Sequence, residues 1–148
     1  MKQPASSVLE LVSRLDANLK PGIDRAAIET LVGVRLERGE QSNETVTFAN
    51  SKEDSAERAL SVSLLVTPAG RFEGRQSALV LESHQKPCIG LAQLKSHFGA
   101  LQLVQIPKGR SIEEVAVWSV QRQWGTLSFA FPEKDPACAS RITFRSKI

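Results

Sequence analysis

Tyrosine is absent from this chain of 148 residues, aromatic residues make up 5% of it, and it has only two histidines, two cysteines and one methionine. Its 19 basic and 16 acidic residues are interspersed, with no Lys/Arg cluster longer than a pair. A nucleic-acid protein gathers positive charge into a stripe that displaces counterions from phosphates, and single-strand binders add aromatic stacking groups. Neither signature is present, so nucleic acid is not an expected partner. The longest apolar runs, such as Ala78-Leu79-Val80-Leu81, are about four residues, far short of the roughly 20 that a membrane-crossing helix needs. The opening residues Met1 to Ser7 carry no apolar leader core. That leaves a cytoplasmic protein or an exported one whose signal peptide has been removed, and the second is the expectation adopted below.

Little chemistry is on offer. His84 and His97 have no cysteine or histidine near them at a zinc-like spacing; His97 reads as a half-buried packing residue of a helix and His84 as a solvated one. Cys88 is the sharpest enzymatic candidate, because a thiol at a helix N-terminus meets the positive end of the helix dipole and ionises more readily. No general base is visible beside it. The carboxylate pairs Glu53-Asp54 and Glu113-Glu114 fall in polar loop sequence and read as solvated. Gly70 and Gly74 bracket a hairpin connection rather than the strand-to-helix turn of a phosphate loop. We expect no catalytic residue, no metal site and no cofactor.

Cys88 and Cys138 bear on the compartment. Paired, they close a loop of about 50 residues, worth at most about 4 kcal/mol on the chain-entropy account, and imply an oxidising compartment. Unpaired, they are two small buried hydrophobes.

What the chain does have is internal similarity. Lys20-Pro21-Gly22-Ile23 precedes a helical stretch ending at Gly33, and Lys86-Pro87-Cys88-Ile89 precedes one ending at Gly99, at one shared offset. Further on, Leu60-Ser61-Val62 answers Leu127-Ser128-Phe129, and Leu79-Val80-Leu81-Glu82-Ser83 answers Ile142-Thr143-Phe144-Arg145-Ser146, with the small drift that loop changes require. Fixed-period similarity suggests a duplicated unit.

Ser7 and Glu10 form a capping box ahead of Val8, Leu11, Val12 and Leu15 at helical spacing, which predicts a helix over 6–19. Asp24 is placed to cap a second helix ending at Gly33, with Ile23 and Ile28 as its hydrophobic staple. A third is expected over 89–98. Period-two alternation predicts strands at 44–49, 60–67, 77–83, 115–122, 126–131 and 141–146. The breaks lie at Pro68-Ala69-Gly70 and Pro132 to Pro136. The expected fold is therefore α+β in two layers. An N-terminal helix (1–19) precedes two tandem repeats (20–84 and 85–148), each a helix followed by a three-stranded antiparallel meander. Together the repeats form one sheet with the helices on one face.

Such a sheet leaves its other face wet. The residues assigned there are small and polar: Thr45, Thr47, Ser61, Ser63, Ser119, Gln121, Thr126, Ser128, Arg141, Thr143 and Arg145. Hydroxyl side chains lose little entropy when covered, and Arg and Gln supply directed hydrogen bonds. Trp118 reads as core, whereas Trp124 beside Gly125 sits at a hairpin edge where a large ring can anchor a partner, together with Arg122 and Phe72.

A tandem of helix-plus-meander units, with the pattern Pro87-Cys88-Ile89…Leu94…Phe98-Gly99, resembles the architecture of the β-lactamase-inhibitor proteins and the related small outer-membrane assembly lipoproteins. The resemblance covers most of residues 20–146. It implies a protein of the bacterial envelope that binds another protein through an open sheet face. A bacterial immunity protein, which blocks a toxin by occupying its active site, suits the same features, and an assembly adaptor is a further form. The competing expectation is a small-ligand or thiol-dependent domain, with an apolar pocket between helices and sheet and Cys88 as its reactive group.

Overall fold

The computed structural model describes residues 5–20, 24–41, 45–66, 77–84, 88–111 and 113–146. The Pro21-Gly22 break, the Ile23 staple, the Pro68-Ala69-Gly70 turn and the connection holding Phe72 lie outside them. Twelve elements follow in order: α1 (Ala5–Asn18), α2 (Arg25–Val32), β1 (Glu37–Gln41), β2 (Val46–Ala49), α3 (Lys52–Arg58), β3 (Leu60–Val66), β4 (Ser77–Ser83), α4 (Leu91–Phe98), β5 (Gln102–Gln105), β6 (Val115–Gln121), β7 (Gly125–Pro132) and β8 (Arg141–Ser146).

The strands make one antiparallel sheet in the order β1-β2-β3-β4-β8-β7-β6-β5. Its register places apolar side chains in transverse rows. Phe48, Leu64, Leu79, Phe144, Leu127 and Val120 face one another strand by strand, and so do Val62, Leu81, Ile142, Phe129 and Trp118. A one-residue slip of any strand would turn its whole set outward, so burial of these rows fixes the register.

Onto the rows pack Val8, Leu11, Val12 and Leu15 of α1, Ile28 and Val32 of α2, and Leu94 and Phe98 of α4, all in one buried cluster. Each fully buried Leu, Ile or Phe contributes about 1.5–3 kcal/mol relative to exposure. The caps are local and explicit. Asp24 accepts a hydrogen bond from the Ala27 amide at 3.3 Å, and Gly33, at φ 74°, closes α2 by donating to Glu29 O. Gln93 Oε1 accepts from the Gly90 amide at 3.2 Å at the start of α4.

The tandem arrangement of helix plus three-stranded meander does not hold. The sheet has eight strands, because β1 and β5 extend it at its two edges. Among the described residues, the segment 20–84 carries two helices, α2 and α3, and the segment 85–148 carries α4 alone, so the two do not repeat one unit. Nor do the helices share one face. Ser55 of α3 and Ser61 of β3 are hydrogen-bonded through their hydroxyls at 2.6 Å, and Ser61 alternates with the core residues Leu60 and Val62. α3 therefore sits on the face opposite α1, α2 and α4. The physical reason that β1 and β5 escape period-two reading is that both lie at edges: Glu37-Arg38-Gly39-Glu40-Gln41 has no apolar residue, and every residue of β5 is exposed.

Candidate functional site

The uncovered face of the sheet is built from the side chains that alternate with the core rows. Its central transverse row runs Ala49, Ser63, Val80, Thr143, Ser128, Ser119 and Gln102 from β2 to β5. Apart from Gln102 at the β5 end, these residues are small or short, so the row stands low between its neighbours. On the central strand β8, Arg141 and Arg145 flank Thr143 two residues to either side, and both are exposed. Glu82 of β4 stands opposite Arg141 and Ala78 opposite Arg145. Among the described residues, no ion pair joins Arg141 or Arg145 to a carboxylate. Toward β6 and β7, Thr126 Oγ1 donates to Gln121 Oε1 at 3.0 Å. Ser119 is only 8% exposed, which leaves it a spacer rather than a contact.

α3 forms a wall at one end of this face. Ser51 caps it by accepting from the Asp54 amide at 3.1 Å. Asn50 ties it to the sheet: its Nδ2 donates to Asp54 Oδ2 and to Leu60 O, both at 3.1 Å, while its Oδ1 accepts from the Val62 amide at 2.9 Å. Arg58 Nε lies 2.9 Å from Asp54 Oδ1. Burial alone raises the Asp54 pKa, but hydrogen bonds from Arg58 and Asn50 and the Arg58 charge outweigh it and hold the carboxyl below its usual value. Asp54 is thus a structural carboxylate of a helix, where the sequence had suggested a solvated loop residue. Between α3 and β3 runs a groove of about 450 Å³ whose lining includes Asn50, Ser55, Ser61, Ser63 and His84.

Glu114, the other carboxylate expected to be solvated, organises a turn instead. It accepts from the amides of Lys108, Arg110 and Ser111 at 2.8, 2.6 and 3.0 Å. The bonds from Lys108 and Arg110 lead in drawing its pKa down against desolvation.

Cys88 and Cys138 are joined in a disulfide with Cα atoms 5.4 Å apart. The bond staples the segment before α4 to the segment before β8, where Ile89 and Ala139 also pair as an isolated bridge. No free thiol remains for nucleophilic chemistry at Cys88. His84 lines a second recess, of about 220 Å³, beside this disulfide with Asp135 and Ser140. His97 is exposed rather than half-buried, with Nδ1 3.0 Å from Gln93 O.

Arg122 and Trp124 belong to the other side of the molecule. Trp124 is 4% exposed, and its ring lies 5.6 Å from that of the core residue Phe144. Its Nε1 donates to Asp16 O at 3.1 Å and to Asp16 Oδ1 at 3.2 Å. Arg122 Nε donates to both Asp16 carboxylate oxygens, at 3.0 and 3.2 Å, and its guanidinium reaches Phe98 O at 3.0 Å. The pair locks α1 and α4 onto the β6–β7 hairpin and closes the core. They do not join Ser61, Ser63, Gln121, Thr126, Ser128, Arg141, Thr143 and Arg145, which share the open face.

Sequence reasoning missed the residues that hold the face in shape, namely Asn50, Asp54 and Asp16. For α3 a signal was present in Ser51-Lys52-Glu53-Asp54, a capping serine followed by first-turn acids. No known family, no curated protein and no solved structure matches this chain.

Proposed function

We propose that this chain is a non-catalytic protein-binding module of the bacterial envelope that acts by covering a site on another protein, most concretely as an immunity or inhibitor protein. One observation carries the reading: a broad sheet face of hydroxyls and two arginines that form no ion pair among the described residues, backed by a buried core. Eight strands at about 4.8 Å spacing span roughly 34 Å. With strands some 20 Å long the face measures on the order of 700 Å², of which α3 covers one end, leaving somewhat less than the roughly 800 Å² that each partner contributes to a standard interface. Small side chains give way to a partner's larger ones. Arg141 and Arg145, on either side of Thr143, favour a partner surface with carboxylates, since Arg pairs bidentately with them. The disulfide supports an oxidising compartment and therefore the periplasm.

Affinity capture from envelope extract tests the reading, using the wild-type chain and the double variant Arg141→Glu/Arg145→Glu. A stoichiometric protein partner should be retained by the first and lost or weakened at least tenfold by the second, with unchanged circular dichroism. Equal retention by both, or recovery of no protein at all, contradicts it.

A further inference from the structure

Leu103, Val104 and Ile106 are the large apolar side chains that stand exposed among the described residues, at 45%, 59% and 57%. All three fall on or beside β5, whose outer edge has no neighbouring strand among the described residues. An edge strand presents unpaired amide and carbonyl groups, and proteins blunt such edges with charge, proline or bulges. The opposite edge, β1, is charged at Glu37, Arg38 and Glu40. Residues 99–107 contain no charged residue at all. Pairing at β1 would desolvate charges whose exposed ion pairs return at most about 1 kcal/mol, whereas pairing at β5 desolvates only apolar and amide groups.

We propose that β5 pairs antiparallel with β5 of a second copy of this chain, joining two eight-stranded sheets about a two-fold axis. The register slip of β5 between Leu103 and Gln105 places those two residues on opposite faces of the sheet, so strict alternation does not fix the pairing. Because residues 99–107 hold no charge, an antiparallel contact centred on Leu103 or Val104 sets apolar and amide groups against one another with no like charges opposed. The isologous contact closes on itself, while a β5-to-β1 contact would propagate into an open chain.

Four residues make a short strand, and the register of β5 against β6 is irregular between Leu103 and Gln105. The covered area falls below the roughly 1,200 Å² of stable specific interfaces, so the dimer is weak and reversible. Sedimentation equilibrium on the full chain should show the weight-average mass rising from the monomer value toward about twice it between roughly 10 µM and 1 mM, the range for a Kd near 100 µM. Val104→Lys, at a site 59% exposed, should remain monomeric throughout with an unchanged circular dichroism spectrum. A wild-type chain that stays monomeric at about 1 mM overturns the proposal, as does undiminished dimerisation of Val104→Lys. Neither result bears on the open-face reading, because β5 lies at the rim and Arg141 and Arg145 on the central strand.

Discussion

Asp16 is the residue on which the closing of the core turns. It receives the guanidinium of Arg122 and the indole N–H of Trp124 at once, across more than 100 residues of chain. Its side chain is 16% exposed and that of Arg122 28%, so solvent screens the pair only partly. Asp16→Ala leaves Trp124 Nε1 its bond to the backbone carbonyl of residue 16 but strips the Arg122 guanidinium of its carboxylate, and is expected to cost about 1–3 kcal/mol, read as a lower denaturant midpoint at unchanged slope. Asp54 is tied to pH. Its folded-state pKa lies below the ordinary value of 3.8, so its contribution to stability is full above that value. The contribution is lost as pH falls through the depressed folded-state pKa. A carboxyl-carbon NMR titration should give midpoints for Asp54 and Glu114 below 3.8 and 4.5 respectively, and the Asp54 midpoint should rise in Arg58→Ala.

Among the elements, α3 is the one that alters the shape of the open face, and Asn50 is its attachment. Asn50→Ala removes two donors and an acceptor that join β2, α3 and β3. The expected loss is about 1–3 kcal/mol, together with earlier amide exchange at Asp54 and Ser55. The strands readable in the sequence are those that alternate between core and surface, such as Leu127, Phe129 and Phe131 against Thr126, Ser128 and Ala130. The edges were not readable. Residues 37–39 of β1 and all of β5 are exposed, so no hydrophobic period marks them, and their pairing with β2 and β6 defines them as strands. α3 carries its caps in plain sequence but has no buried residue, and without an apolar stripe it read as loop. Trp124 was misplaced for the opposite reason. Its hairpin-edge position suggested exposure, and only its distant partner, Asp16, shows that the ring faces inward.

At the scale of the molecule, the polar face was legible because its residues are the odd members of the same alternation that built the core. What the sequence could not convey is that α3 rims that face and that eight strands widen it. The Cys88–Cys138 bond pins two segments separated by 50 residues, and closing a loop of that size stabilises by up to about 4 kcal/mol. The face is therefore preorganised, which lowers the ordering cost of any docking event. The most direct test is an NMR cross-saturation map of the chain in complex with its captured partner. The account predicts that Ser63, Val80, Ser128, Arg141, Thr143 and Arg145 lose intensity together while α1 and α4 do not. A footprint centred on α1, α2 and α4, with that row unaffected, would contradict it.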